Sequence, residues 1–330
     1  MRDLLLFGNV SQPPYCNNLF PPVRAFQRAF RTRVVEPTGY KSFEATGGAR
    51  PALVPEDAVI EHTDPCPDVV VCLGGALHFS ERSLRELRNR HVLLAGFALS
   101  DPYGLAASLA IAREFDLFYT QDAQTLPDYR AVGVAAARCD PATDPELYRP
   151  DASRARRDPD CDVVYYGKWT PYRDAIVSTL AKSLRVRVHA YPGATQWSVA
   201  VQPALDTPDA LRAALNGARL ALETARLDDA AGKYRDAFRI TPRAFFAASC
   251  GVPSLVEEFP ALKESFAPGE EIATYRSAED AAESAARLLG DEAARAAMGR
   301  RARSRALRDH TWDRRVEGFV LDVERKLRRP

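Results

Sequence analysis

Short continuous apolar runs alternate along the chain with longer stretches of helical period. In the first half the runs are LLLF at 4–7, VV at 34–35, VVV at 69–71, VLL at 92–94 and LFY at 117–119. Segments 23–30 and 83–89 carry apolar residues at helical spacing. Runs that do not alternate are buried on both faces, which is the requirement of a parallel sheet covered by helices. The pattern restarts after residue 160: strands at 163–166, 186–190, 220–222 and 253–256, with helices at 171–184, 208–216 and 242–249 between and after them. The tail 278–327 is helical by its Ala, Leu, Glu and Arg content, with a break near 309–312. Both halves therefore read as doubly wound α/β units with parallel sheets. Between them DPATDPELYRPDASRARRDPD at 140–160 has no period and is rich in Pro and charge, the composition of a boundary. The predicted domains are 1–150 and 151–330.

Length supports the division, since 330 residues exceed what one small core needs. Apolar residues at 46% and charged residues at 27% exclude a disordered or low-complexity chain. The net charge of +1 lacks the basic excess of a dedicated nucleic-acid coat. The first 150 residues hold 15 basic and 18 acidic side chains and the remainder 30 and 26, so the second half is the mildly basic one. The start, MRDLLLFGNV, has no signal-peptide h-region and reads as a strand, and no apolar run reaches membrane-spanning length. A soluble, cytoplasmic protein with no membrane span is expected. Cysteines at 16, 66, 72, 139, 161 and 250 form no CxxC pair and no zinc spacing, so reduced, mostly buried thiols and no metal site are expected.

In a doubly wound sheet ligands bind over the carboxyl ends of the strands, which directs attention to the loops there. Two helix starts in the second half share one construction. In GKWTPYR, Gly167 frees the turn, Thr170 caps and Pro171 opens the helix. In RITPRAFFAASCGVP, Thr241 caps, Pro242 opens and Gly251 ends it. Free N–H groups and the partial positive charge of a helix start attract anions. Lys168, Arg173, Arg239 and Arg243 lie within a few residues of these starts, so Gly167, Lys168, Thr170, Arg173, Arg239, Thr241 and Arg243 are the candidate diphosphate ligands. No GxGxxG fingerprint follows the first strand of that half, which favours a nucleotide diphosphate group over NAD. Tyr191 and Pro192, after the strand ending at 190, are candidates to line a nucleobase pocket. In the first half, Gly74 and Gly75 in CLGGALHFS allow close backbone approach to a sugar, and His78 is a titratable group in the same loop. Asp101, at a strand end, is the candidate base or sugar contact.

These motifs carry a family likeness. The run from RITPRAFF at 239–246 to DHTWDRR at 309–315 resembles the C-terminal domain of GT-B glycosyltransferases of the group 1 family, in the spore maturation protein CgeB-like branch. The shared elements are Glu271-Ile272 to Tyr275, the helix of 278–289 and His310 to Arg315, with further likeness in DPY at 101–103, FDLFYTQD at 115–122, around Gly133, in DPELYRP at 144–150 and in VVYYGKWTPYRDAIVSTL from 163. The resemblance implies two Rossmann-like domains with an interdomain cleft, transfer of a sugar from a nucleotide-diphosphate donor in the C-terminal domain to an acceptor at the N-terminal one, and no metal or cofactor. The acceptor is unspecified, a small molecule or glycan or a hydroxylated base in DNA. One position departs from the branch: Phe246 stands where a Glu commonly contacts the donor ribose. Glu223 or Asp236 is the expected substitute; the other reading is a noncatalytic nucleotide-sugar-binding or spore-coat-type structural protein. Ala replacements of Lys168 or Arg243 are expected to weaken donor binding.

Overall fold

The computed structural model describes residues 1–8, 16–36, 59, 61–74, 79–102, 104–153, 159–190, 196–224 and 240–328. Through the first 140 residues run β1 (Asp3–Phe7), α1 (Cys16–Ala29), β2 (Arg31–Val35), β3 (Val69–Leu73), α2 (Glu81–Asn89), β4 (Leu93–Ala98), α3 (Leu105–Ile111), β5 (Leu117–Thr120), α4 (Leu126–Ala131) and β6 (Ala137–Arg138). There follow β7 (Cys161–Gly167), α5 (Pro171–Ala181), β8 (Val186–Ala190), β9 (Val201–Gln202), α6 (Pro208–Asn216), β10 (Ala218–Glu223), α7 (Pro242–Cys250), β11 (Ser254–Glu257), α8 (Leu262–Ser265), β12 (Ala273–Tyr275), α9 (Ala278–Gly290), α10 (Glu292–Asp309) and α11 (Trp312–Leu327).

The strands form two six-stranded sheets, ordered β2-β1-β3-β4-β5-β6 and β12-β11-β10-β7-β8-β9. Every pairing is parallel. The apolar runs of the sequence are the central strands: all five residues of β3 are buried, as are four of five in β1. The extra strands β6, β9 and β12 hold only two or three residues each, too short to leave a periodic signal. In the second sheet β7 is flanked by β8 on one side and β10 on the other, so the winding direction reverses between β7 and β10. That reversal opens the crevice at their carboxyl ends where ligands bind in doubly wound folds.

The chain divides into two compact units, 1–140 with 313–330, and 141–312. This corrects the expected boundaries in two places. Segment 141–150 is no linker: Ala142, Thr143, Asp144 and Tyr148 are buried, and Thr143 bridges to Thr311 within the second unit. The final helix belongs to the first unit, because Phe319 of α11 packs among Phe26, Phe30, Phe97 and Tyr119. Polar contacts reinforce it, with the Tyr119 hydroxyl donating to Asp322 at 2.7 Å and Arg28 pairing with Asp313 at 2.7 Å. The tail also breaks once more than its composition suggests, at Asp291, whose side chain accepts the Ala294 N–H at the start of α10.

Among the described residues, no helix is long and apolar enough to cross a membrane, and no group of three or more His, Cys, Asp or Glu is placed to hold a metal. The described cysteines are free thiols, four of them buried. Burial pushes the thiols of Cys139 and Cys250 up to about 12 and that of Cys161 to about 11, so they behave as small apolar groups.

Candidate active site

In the second unit, the loop after β7 and the first turn of α5 stand at the carboxyl edge of the sheet and carry candidate diphosphate ligands of the sequence. Gly167 ends β7 and Thr170 caps α5, its hydroxyl accepting the Arg173 N–H at 3.2 Å. Pro171 occupies the first helical position, as the sequence predicts. Arg173, three residues into the helix side of this cap, is 94% buried with a relative exposure of 6%. Its guanidinium reaches back to donate to the Lys168 carbonyl at 3.3 Å, while its Nε has no partner. No carboxylate pairs with Arg173 among the described residues. A buried cation without a counter-anion is costly, and here it lies beside a helix N-terminus that itself favours negative charge. Elsewhere in the second unit the buried Thr224 hydroxyl beyond β10 and the Trp169 indole N–H in the loop after β7 also lack hydrogen-bond partners among the described residues. Such orphans in a native structure call for a ligand, a water or a strain explanation.

Arg243 takes a different part from the one expected. Its Nε lies 2.8 Å from Glu223 Oε2, and its Nη2 lies 3.3 Å from Oε1. Its Nη1 donates to the Tyr166 carbonyl at 2.8 Å and its Nη2 to the Thr224 carbonyl at 2.9 Å. The guanidinium also lies over the rings of Tyr165 and Tyr166, 5.6 and 5.7 Å from their centroids, within cation–π range. Its charge is thus met inside the protein, and it ties the carboxyl ends of β7 and β10 together. Gly167 is required by this packing: a Cβ there would stand 2.6 Å from Arg243 Nη1 and 2.7 Å from the Tyr165 hydroxyl.

Glu223 is drawn into the same pairing. Its side chain is 2% exposed; Oε2 lies 2.8 Å from Arg243 Nε without a hydrogen bond, and Oε1 accepts from Arg243 Nη2 and from the Thr241 hydroxyl. That bond explains a second departure: Thr241 sits at the N-cap position of α7 but makes no side-chain cap. The Tyr275 hydroxyl closes the arrangement from β12, donating to the Glu223 carbonyl at 3.0 Å. Burial, with Glu257, Tyr172 and Glu223 nearby, drives its phenol well above the ordinary range. Phe246 lies in the core, fully buried and stacked on Tyr148 with ring centroids 4.1 Å apart. At this position a carboxylate would face apolar packing.

Asp101, the candidate base, is fully buried in the first unit. Its carboxylate accepts hydroxyls from Tyr129 at 2.6 Å, Thr120 at 2.8 Å and Ser108 at 3.3 Å. An enclosed carboxylate with these three donors pins the turn after β4 to β5, α3 and α4. Gly74 follows β3 in a left-handed conformation, with φ +58°. Gly75, His78, Tyr191, Pro192, Asp236 and Arg239 lie outside the described residues.

Sequence reasoning passed over Tyr172 and Glu257. The Tyr172 hydroxyl, in the first turn of α5, donates to Glu257 Oε1 at 2.5 Å, at the carboxyl end of β11. Position alone marked Glu257, an acidic residue closing an apolar strand run on the ligand edge.

Two doubly wound units with parallel six-stranded sheets constitute the GT-B fold, and comparison with known proteins agrees. Residues 163–320 match the family model described as glycosyl transferase-like. Among solved structures, sucrose-phosphate synthase from Thermosynechococcus elongatus superposes with a TM-score of 0.68 at 12% identity, covering 99% of each chain. HepE from Anabaena, in complex with UDP-glucose, gives 0.64 at 13% identity, over 98% of this chain and 100% of that one. A glycosyltransferase from Rickettsia africae gives 0.63 at 7% identity, over 100% and 99%. No curated protein matches the chain by sequence.

Proposed function

We propose that the protein is a glycosyltransferase that moves a sugar from a nucleotide-diphosphate sugar to an acceptor, with the donor held at the carboxyl edge of the second sheet. The observation that carries this reading is the buried Arg173 at the start of α5, without a carboxylate partner among the described residues, beside the Gly167–Lys168 turn and at the point where the sheet's winding reverses. The UDP and UDP-glucose complexes of the structural neighbour HepE and the glycosyl transferase-like match of residues 163–320 support it.

As the glycosidic C–O bond breaks, its electron pair passes to the leaving diphosphate, and negative charge grows there. Arg173 and the N-terminus of α5 are held before the reaction, so with Lys168 beside them they stabilise that charge with little reorganisation. Because the protein's own cations and helix start supply this positive charge, the reading needs neither metal nor cofactor. Arg243 holds the wall behind the phosphate turn. Asp101, its carboxylate enclosed by three hydroxyl donors, is given no part as proton acceptor in this reading.

The CgeB-like assignment is the finer part of the proposal. Its motif residues have structural work consistent with a shared scaffold: Tyr275 bonds Glu223, and buried His310 contacts the Ser265 carbonyl at 2.8 Å between Phe245 and Phe266. A soluble cytoplasmic enzyme acting on a small molecule or glycan is the setting these features suit.

The test is release of nucleoside diphosphate from UDP-, GDP-, ADP-, CDP- and dTDP-sugars by the full chain. Slow release from one donor base, lost in Arg173→Ala, supports the reading. Binding without release from any donor would favour a noncatalytic nucleotide-sugar-binding protein, and retention on duplex DNA at low salt would redirect the acceptor search.

A further inference from the structure

The first turn of α5 is fastened on both sides of Arg173. One residue before it, the Tyr172 hydroxyl donates to Glu257 Oε1 at 2.5 Å. One residue after it, Asp174 Oδ1 accepts the Ser198 N–H at 2.8 Å and Oδ2 accepts the Ser198 hydroxyl. Glu257 is the last residue of β11, and Ser198 stands in the segment leading into β9. In the sheet β11 and β9 lie on opposite sides of β7, the strand that feeds α5, and β10 separates β7 from β11. The Tyr172–Glu257 bond therefore runs from the helix after β7 past β10 to the end of β11, at the carboxyl ends where the winding reverses.

The body of α5 needs no such link to stay in place, because Ile176, Val177 and Leu180 bury its apolar face in the core. Glu257 is only 4% exposed, and a carboxylate that far from water is costly unless hydrogen bonds meet it. The Tyr172 ring packs against the same core, so its hydroxyl is aimed by packing rather than by chance. A costly polar link at the one turn that carries Arg173 suits a part in positioning. We propose that Tyr172 and Glu257 are positioning residues: they fix the first turn of α5, and through it Arg173 and the free N–H groups of the helix start, where the leaving diphosphate gains charge. Neither touches the donor. Fixed dipoles stabilise a growing charge only while their aim is held, and small misplacements are expensive in rate. The inference rests on the proposed glycosyl transfer and adds to it a pair outside the phosphate-binding set.

The experiment uses the full chain and follows release of nucleoside diphosphate from whichever of the UDP-, GDP-, ADP-, CDP- and dTDP-sugars the wild type turns over, at a temperature where tryptophan fluorescence shows each variant folded. Tyr172→Phe keeps the packed ring and removes the hydroxyl. Its kcat should fall about 10-fold with the donor KM within about 2-fold of wild type, the split expected when the loss is felt in the transition state. Glu257→Gln keeps a carbonyl oxygen for the phenol and should recover most of the rate. Glu257→Leu should lose as much as Tyr172→Phe, and the double variant Tyr172→Phe/Glu257→Leu no more than either, because one link cannot be lost twice. A merely structural pair would lower stability and leave kcat of the folded variants unchanged. Wild-type kcat in Tyr172→Phe, a Glu257→Gln variant as slow as Tyr172→Phe, or losses that multiply in the double variant would overturn the inference while leaving the proposed transfer standing. Release from none of the five donor classes by the wild type would overturn both.

Discussion

The pairing of Arg243 with Glu223 separates a stabilising cation from a substrate-binding one, and its removal has a computable effect. Arg243→Ala deletes the contact of 2.8 Å to Glu223 and the bonds of 2.8 and 2.9 Å to the Tyr166 and Thr224 carbonyls. Glu223, with a side chain 2% exposed, is left as a buried charge bonded only to neutral partners. Breaking one side of such a pair costs about 3–5 kcal/mol. For a unit of this size that lowers the melting temperature by roughly 6–20 °C, at about 2–4 °C per kcal/mol. The assay is convenient because all three tryptophans, at 169, 197 and 312, fall in the second unit, so urea unfolding followed by tryptophan fluorescence reports that unit. Adding Glu223→Gln to Arg243→Ala removes the stranded charge, and the double variant should lose at least about 1 kcal/mol less than the sum of the single losses. A loss below about 1 kcal/mol in Arg243→Ala, or strict additivity in the double variant, would refute the reasoning.

Further outcomes follow from the same geometry. Gly167→Ala should cost about 1–3 kcal/mol, since its Cβ would press on Arg243 and the Tyr165 hydroxyl, measured by the same fluorescence titration. Phe246→Glu should not restore ribose binding; it loses the Tyr148 stack and about 3–5 kcal/mol of apolar packing, visible as poor soluble yield or early unfolding. Asp101→Asn should destabilise the first unit by about 2–3 kcal/mol, because its amide N–H group faces hydroxyl donors, read as faster hydrogen exchange over 93–131 with nucleotide binding unchanged.

The chain's alternation of apolar runs and helical stretches made both sheets legible, because strands buried on two faces leave nothing for composition to hide. It left out β6, β9 and β12, where two or three residues on a sheet edge or flank carry no period. Thr170 and Pro171 were readable because a helix start is a local event: cap, proline and turn all lie within a few residues. Arg243 was misplaced for the opposite reason. Its partner Glu223 lies 20 residues away at the end of β10, and sequence proximity to a helix start cannot distinguish a cation facing a ligand from one facing a buried carboxylate. Asp101 misled similarly, since a strand-end aspartate looks the same whether it meets a substrate or, as here, the hydroxyls of Ser108, Thr120 and Tyr129. The return of α11 to the first unit depends on Phe319 meeting four aromatics from distant segments, a convergence with no one-dimensional trace.

The central claim is that a nucleoside diphosphate binds over the carboxyl edge of the second sheet and that Arg173, rather than Arg243, holds its phosphates. It is tested most directly by calorimetric titration of the wild type, Arg173→Ala and Arg243→Ala with UDP, GDP, ADP, CDP and dTDP below the unfolding temperature of each variant. One diphosphate should bind the wild type selectively, with its affinity reduced at least about 10-fold in Arg173→Ala, in line with the loss of a charge-assisted contact, and by clearly less in folded Arg243→Ala. Wild-type affinity in Arg173→Ala, or binding of none of the five by the wild type, would contradict it.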